Sequence, residues 1–121
     1  MRLESYPTAR VTSRSRQRGK EEKLMATYVV LFNWTEQGIR NVRDTVERYD
    51  RATEFGEKHG VRIEQIYWTV GPYDIAAIAE APDNESVSAF LLELSSAGNL
   101  RTTTLRAYNR EEMSNLLQRL G

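Results

Sequence analysis

From Thr27 to Asn33 the chain runs through β-branched and aromatic side chains almost without a polar break, which predicts a strand. The period then changes. Ile39, Val42, Val46, Tyr49, Ala52 and Phe55 recur at three- and four-residue steps, while Arg40, Arg43, Asp44, Glu47, Arg48 and Arg51 fill the other side, which predicts one amphipathic helix. Thr35 suits its N-cap, and Gly60 suits a left-handed position just past its end. Val61 to Val70 and Asp74 to Ala81 read as two antiparallel strands joined through a Gly71-Pro72-Tyr73 turn. Asp83 follows as the N-cap of a second helix whose buried stripe is Val87, Phe90, Leu91, Leu94 and Ala97, with Gly98 as the stop. Thr102 to Tyr108 predicts a fourth strand. Asn109 and Glu112 then have capping-box spacing for a short terminal helix carrying Met113, Leu116, Leu117 and Leu120.

The order β-α-β-β-α-β plus a helix predicts an α+β, ferredoxin-like domain: a four-stranded antiparallel sheet with helices on one face. The uncovered face of such a sheet should turn polar where it meets water. It does not. Val29 and Leu31 oppose Tyr28, Val30, Phe32 and Trp34 in the first strand, and Ala76 and Ile78 oppose Ile75, Ala77 and Ala79 in the third. A second copy packed sheet to sheet, giving a dimeric α/β barrel, would cover that face.

Composition narrows the class. With 121 residues, 40% of them hydrophobic and 28% charged, one globular domain is expected. No apolar run approaches the roughly 18 residues of a spanning helix, and no h-region marks a secretory signal, so a cytoplasmic protein with no membrane partner is expected. The absence of cysteine excludes disulfides, thiolate metal sites and a cysteine nucleophile, and the single His59 excludes a site needing two imidazoles from one chain. Neither a Gly-rich phosphate loop nor metal-ligand spacing occurs, so no cofactor and no metal are expected. Residues 1–24 hold seven bases against three acids, net +4, which leaves the remainder at net −4 and a poor match for nucleic acid. That basic segment shows no apolar period and reads as a disordered leader before a domain at 25–121. Its Arg/Ser-rich make-up also suits a transit peptide or a basic arm, and translation from Met25 would lead straight into the first strand.

Three stretches occur in one order: Tyr28-Val29-Val30-Leu31-Phe32-Asn33-Trp34-Thr35, then Trp68-Thr69-Val70-Gly71-Pro72-Tyr73-Asp74, then Gly98-Asn99-Leu100 running on to Ala107. Together they resemble the GYD domain family, whose name corresponds to Gly71, Tyr73 and Asp74 here. The resemblance spans about residues 25 to 110 and leaves the leader and the terminal helix outside. It implies a small bacterial or archaeal ferredoxin-like protein, similar in fold to dimeric α/β barrels, with no established biochemical activity.

Gly71 and Pro72 are explained by a tight turn. Tyr73 and Asp74 are required by no turn type. Either Asp74 bonds turn amides, or the pair stands at the mouth of a cleft between sheet and helices and orients or protonates a small ligand. Among Tyr28, Phe32, Trp34, Tyr67, Trp68 and Tyr108, core and dimer interface account for most, with Trp34, Tyr67 and Trp68 as candidate pocket walls. Arg106, near a strand end, would hold a carboxylate ligand or pair with an acid such as Asp74 or Glu80. His59 reads as a solvated helix-end cation. These readings describe a homodimeric small-ligand-binding or structural module whose partners are a second copy and a small apolar or aromatic ligand. The alternative is a cofactor-free enzyme of the dimeric α/β barrel type: a monooxygenase, isomerase or dehydratase. An enclosed pocket of roughly 300 Å3 beside a perturbed acid or base would favour the enzyme.

Overall fold

A computed structural model describes residues 25–121, so the reading of residues 1–24 as a leader lies outside the described residues. Strand β1, Ala26–Trp34, is central, and its alternating burial marks the inward side. Strands β2 (Arg62–Trp68), β3 (Ile75–Ala81) and β4 (Leu100–Ala107) complete one sheet in the order β2-β3-β1-β4. Every pairing is antiparallel, which makes this the expected ferredoxin-like arrangement. β4 begins two residues before the expected strand, because Leu100 and Arg101 already pair with Trp34 and Asn33.

The first helical segment differs from the single amphipathic helix its periodicity predicts. It is broken into α1 (Glu36–Arg40), a 3-10 turn at Val42–Asp44, and α2 (Thr45–Lys58). Thr35 does cap α1, accepting from the Gly38 amide, and Gly60 does take a positive φ of 77° beyond α2. Ile39 and Val46, assigned to the buried stripe, are 49% and 56% exposed. The cause lies across the sheet. The Thr35 amide donates to Asn99 O at 3.0 Å and its hydroxyl to Gly98 O at 2.5 Å, so α1 is aimed by this loop rather than by its own stripe. The break at Asn41 lets α2 restart over the sheet, where Tyr49 and Ala52 face inward.

Helix α3 (Asn84–Ser96) lies beside α2 on the same face, and Val87, Phe90 and Leu91 from it join Tyr28, Val30, Phe32, Ile75, Ala77 and Ala79 in the core. Gly56 permits the close approach of α2, because a Cβ there would meet Val61 O at 3.1 Å and the Phe90 ring at 3.3 Å. Asp83 caps α3 by accepting from the Ser86 amide at 2.8 Å. Hydrogen bonds from the Ser86 side chain and backbone hold its carboxyl below the ordinary 3.8. A depressed folded-state pKa stabilises above the unfolded value and is lost as pH falls through the folded value. Protection of the first-turn amides of α3, relative to their intrinsic exchange rates, is therefore expected to fall below about pH 4 in the parent chain and to show no such step in Asp83→Ala.

Helix α4 (Arg110–Leu117) starts with the expected capping box between Asn109 and Glu112. Most of its apolar side chains are not used by the fold: Leu116 is half-buried, but Met113, Leu117 and, just beyond, Leu120 are exposed large hydrophobics. The outer face of the sheet carries the rows Tyr67-Ala76-Leu31-Thr103 and Gln65-Ile78-Val29-Leu105, read across paired strands. Tyr67 is 61% and Leu105 48% exposed there. Arg62 bonds Glu64 and Glu80, each at 2.6 Å, at one end of the same face.

Candidate functional site

Between the sheet and α2 lies an apolar cavity of about 90 Å3. Its wall includes Phe32 and Trp34 of β1, Ile63, Ile66 and Trp68 of β2, and Tyr49 and Ala52 of α2. The two indoles are held differently. Trp68 donates through Nε1 to Thr45 Oγ1 at 3.0 Å and meets the Tyr49 ring edge to face at 5.9 Å between centroids. Trp34 Nε1, by contrast, is buried and has no hydrogen-bond partner.

The Gly71-Pro72-Tyr73-Asp74 segment is tied to the end of β1. Thr69 donates from its amide to Asp74 O at 2.8 Å and from its hydroxyl to Tyr73 O at 2.6 Å, which closes the β2-β3 connection. Asn33 Nδ2 donates to Pro72 O at 2.8 Å. The Asp74 amide extends the β1-β3 ladder onto Phe32 O at 2.8 Å. Beyond that point β3 has no strand residue opposite Trp34, and the Asp74 carboxylate takes over, accepting the Trp34 amide at 2.9 Å. The amide it satisfies thus belongs to the neighbouring strand rather than to the turn. Through this bond Asp74 positions the backbone of a cavity wall residue.

Of the candidate side chains, Trp34 and Trp68 line the cavity, whereas Tyr67, Tyr73, Asp74 and Arg106 do not. Tyr67 projects from the outer face, paired with Ala76. Gly71 has a φ of 151° and open space around it, so only its backbone conformation calls for glycine. Arg106 stands at the opposite end of β1. Its guanidinium lies over the rings of Tyr108 at 4.4 Å and Tyr28 at 5.8 Å and donates to Thr27 O at 3.3 Å and to Ala107 O. It pairs with neither Asp74 nor Glu80; Glu80 is bonded to Arg62. Burial raises the Tyr28 phenol above 10.0, with Arg106 opposing the shift, and that phenol donates to Asn84 Oδ1 at 2.5 Å. His59 bonds Glu93 at 2.9 Å and packs edge to face on Phe55, so it is engaged at the end of α2 rather than simply solvated.

Sequence reasoning missed the α2 side of the cavity and the glycine at Gly38. Tyr49 and Ala52 had a signal in the helical period, but nothing in the period says which strand they oppose. Gly38 had none, since its need for no side chain arises from Asn99 across the sheet: an added Cβ would lie 2.0 Å from Asn99 O.

The family model for the GYD domain matches residues 28–117. The chain belongs to the GYD domain family. The match runs through α4, so the terminal helix lies inside the GYD domain and not outside it, as the shorter resemblance implied. This GYD domain is similar to the "Glutamine synthetase and cystathionine beta-lyase binding protein" of Thermus thermophilus, 34% identical over 84 residues, covering 69% of this chain and 88% of that protein. Among solved structures it is similar to MtbAldR, with a TM-score of 0.55 and 15% identity. That match covers 70% of this chain and 52% of the other, so the GYD domain spans about half of it. A dimeric ferredoxin-like protein of unknown function from Bacteroides fragilis matches with a TM-score of 0.44 and 15% identity, over 69% of this chain and 97% of that one. Among the described residues no helix is long and apolar enough to cross a membrane, and no cluster of His, Cys, Asp and Glu could hold a metal ion.

The hydrogen bonds of Asp74 set an expectation for its substitution. Asp74→Asn keeps an acceptor for the Trp34 amide and should lower stability by about 1 kcal/mol or less. Asp74→Ala strands that amide and should cost about 1–3 kcal/mol. Paired urea titrations check this; equal losses in the two variants would show that the carboxylate charge matters and not the bond.

Proposed function

We propose that this GYD domain is a homodimeric binding module, joined to a second copy through the outer face of its sheet. The observation that carries the reading is the apolar row structure of that face, with Leu31, Ala76, Ile78, Val29 and Leu105 adjacent across β3, β1 and β4. By strand spacing and rise, four strands of about seven residues present roughly 440 Å2 in plan. Side-chain relief brings it toward the roughly 800 Å2 per partner of a stable interface.

The cofactor-free enzyme reading has weaker support. The cavity is smaller than the roughly 300 Å3 a substrate site calls for, and its wall includes no carboxylate. Binding also accords with the relative, whose name records glutamine synthetase and cystathionine beta-lyase as what it binds. A metabolic enzyme is accordingly the partner class to test first, by sedimentation of the purified chain with each of those two enzymes.

Light scattering at micromolar concentration is expected to give twice the 14.0 kDa of one chain. Ile78→Lys places an unpaired ammonium in the middle of the joined faces, which costs several kcal/mol on assembly and nothing comparable in a free monomer. It should run as a folded monomer with an unchanged far-UV spectrum. A parent chain that is monomeric under the same conditions overturns the reading.

A further inference from the structure

We propose that the cavity between the sheet and α2 takes the alkyl end of a short branched monocarboxylate, whose carboxylate stays at the opening beside Arg48. This goes beyond the dimer, because the cavity lies on the helix side of the sheet and does not depend on what covers the other side.

The apolar half of the ligand follows from the wall and the volume. Among the residues that line the cavity, Arg48 alone is charged, and the others are aromatic or aliphatic apart from Thr45 and Asn99. The Thr45 hydroxyl already accepts the Trp68 indole. Such a space suits hydrocarbon and is poor for water, which needs two to four polar partners. At about 90 Å3 it falls short of the roughly 150 Å3 that holds benzene in another protein, so roughly three or four carbons fit.

The place of the carboxylate follows from the way in. Arg48, Ala52, Leu94, Ala97 and Asn99 line both the cavity and a wider groove between α2 and α3, so the cavity opens toward that groove. A carboxylate drawn inside would lose its water against apolar walls, whereas one left at the opening keeps water on the groove side.

The charge at the opening fits one anion. The Arg48 side chain is 24% exposed, and its guanidinium makes one hydrogen bond, to Asn41 O at 2.9 Å. The Asp44 carboxylate stands 3.9 Å away, beyond hydrogen-bond reach. A guanidinium carries several N-H donors, so most of those on Arg48 are still available. Arg51 lines the same groove, with no ion-pair partner among the described residues. The acids of the groove, Glu54 and Glu93, do not line the cavity, and Glu93 is held by His59 at 2.9 Å. The carbonyls that end α3, Ala97 O, Gly98 O and Asn99 O, accept from Gln37 and Thr35, which tempers the negative end of that helix.

The test titrates the 15N-labelled full chain with 3-methylbutanoate, with its neutral isostere 3-methylbutanamide and with acetate, which has the charge without the alkyl group. The backbone amides of Ala52 and Asn99 and the Arg48 Nε-H are followed. All three should move with saturation for 3-methylbutanoate. The amide should bind at least about tenfold more weakly, for want of the charge-assisted bonds, and acetate likewise, for want of buried carbon. Arg48→Gln should bring 3-methylbutanoate down to the affinity of the amide while the remaining spectrum stays folded. Ala52→Leu, which fills the cavity from α2, should abolish the response to both. The proposal is overturned by equal affinity for the acid and its amide in the parent chain, by acetate binding as well as 3-methylbutanoate, by resonances that ignore all three probes, or by 3-methylbutanoate binding that survives in Arg48→Gln or Ala52→Leu.

Discussion

Phe90→Ala is expected to lower the unfolding free energy by about 3–5 kcal/mol, the range for emptying a buried phenylalanine site. Phe90 is 2% exposed and sits where α3 meets α2 over the sheet. Its ring tilts against Phe55 at 5.8 Å and His59 at 6.3 Å, and Gly56 lies against it. The close approach at Gly56 restricts collapse, because the Val61 carbonyl already lies against the same side of that glycine. The void should therefore persist. For a domain whose whole stability is about 5–15 kcal/mol, the loss is a large fraction of the total and should move the midpoint of a guanidinium titration clearly to lower denaturant. Parent and variant must be compared at one protein concentration, since assembly adds to apparent stability. A loss below about 1 kcal/mol would show that the helices close over the space and that the core is less tightly set than its geometry indicates.

Gly38→Ala tests the contact that aims α1. Helix propensity alone predicts a gain of about 1 kcal/mol, because alanine replaces glycine inside a helix. Tertiary structure predicts the opposite sign. The new Cβ would stand 2.0 Å from Asn99 O and 2.9 Å from its carbonyl carbon, and these are backbone atoms that cannot rotate away. Relief requires α1 to move off the α3-β4 loop, which loosens the bonds from Thr35 to Gly98 O and Asn99 O and from Gln37 Nε2 to Ala97 O. A loss of about 1–3 kcal/mol follows from overpacking. In a domain near 100 residues each kcal/mol moves Tm by about 4–8 °C, so differential scanning calorimetry should read a drop of roughly 5–20 °C. A rise in Tm would refute the close approach.

The strands and most caps were legible in the sequence because their causes are local. Alternation in β1 and β3, Thr35, Asp83 and the Asn109-Glu112 pair each act within one turn or one strand. The ferredoxin-like order followed from the sequence of elements, since few topologies accommodate it. The apolar outer face was also readable, because a period of two puts Val29 and Leu31 opposite the core whatever the tertiary arrangement.

What only the tertiary structure decided depends on contacts between residues far apart in the chain. The break at Asn41 has no signal in the helical period; it follows from Thr35 and Gly38 docking on Asn99, some sixty positions away. Asp74 was legible as a carboxylate at a strand start, but its partner, the Trp34 amide, is left open only because β3 begins two residues too late to pair with it. The two tryptophans look alike in the sequence. One finds Thr45 and the other finds no acceptor, a difference set by where α2 restarts relative to β1 and β2, and periodicity carries no information about that placement.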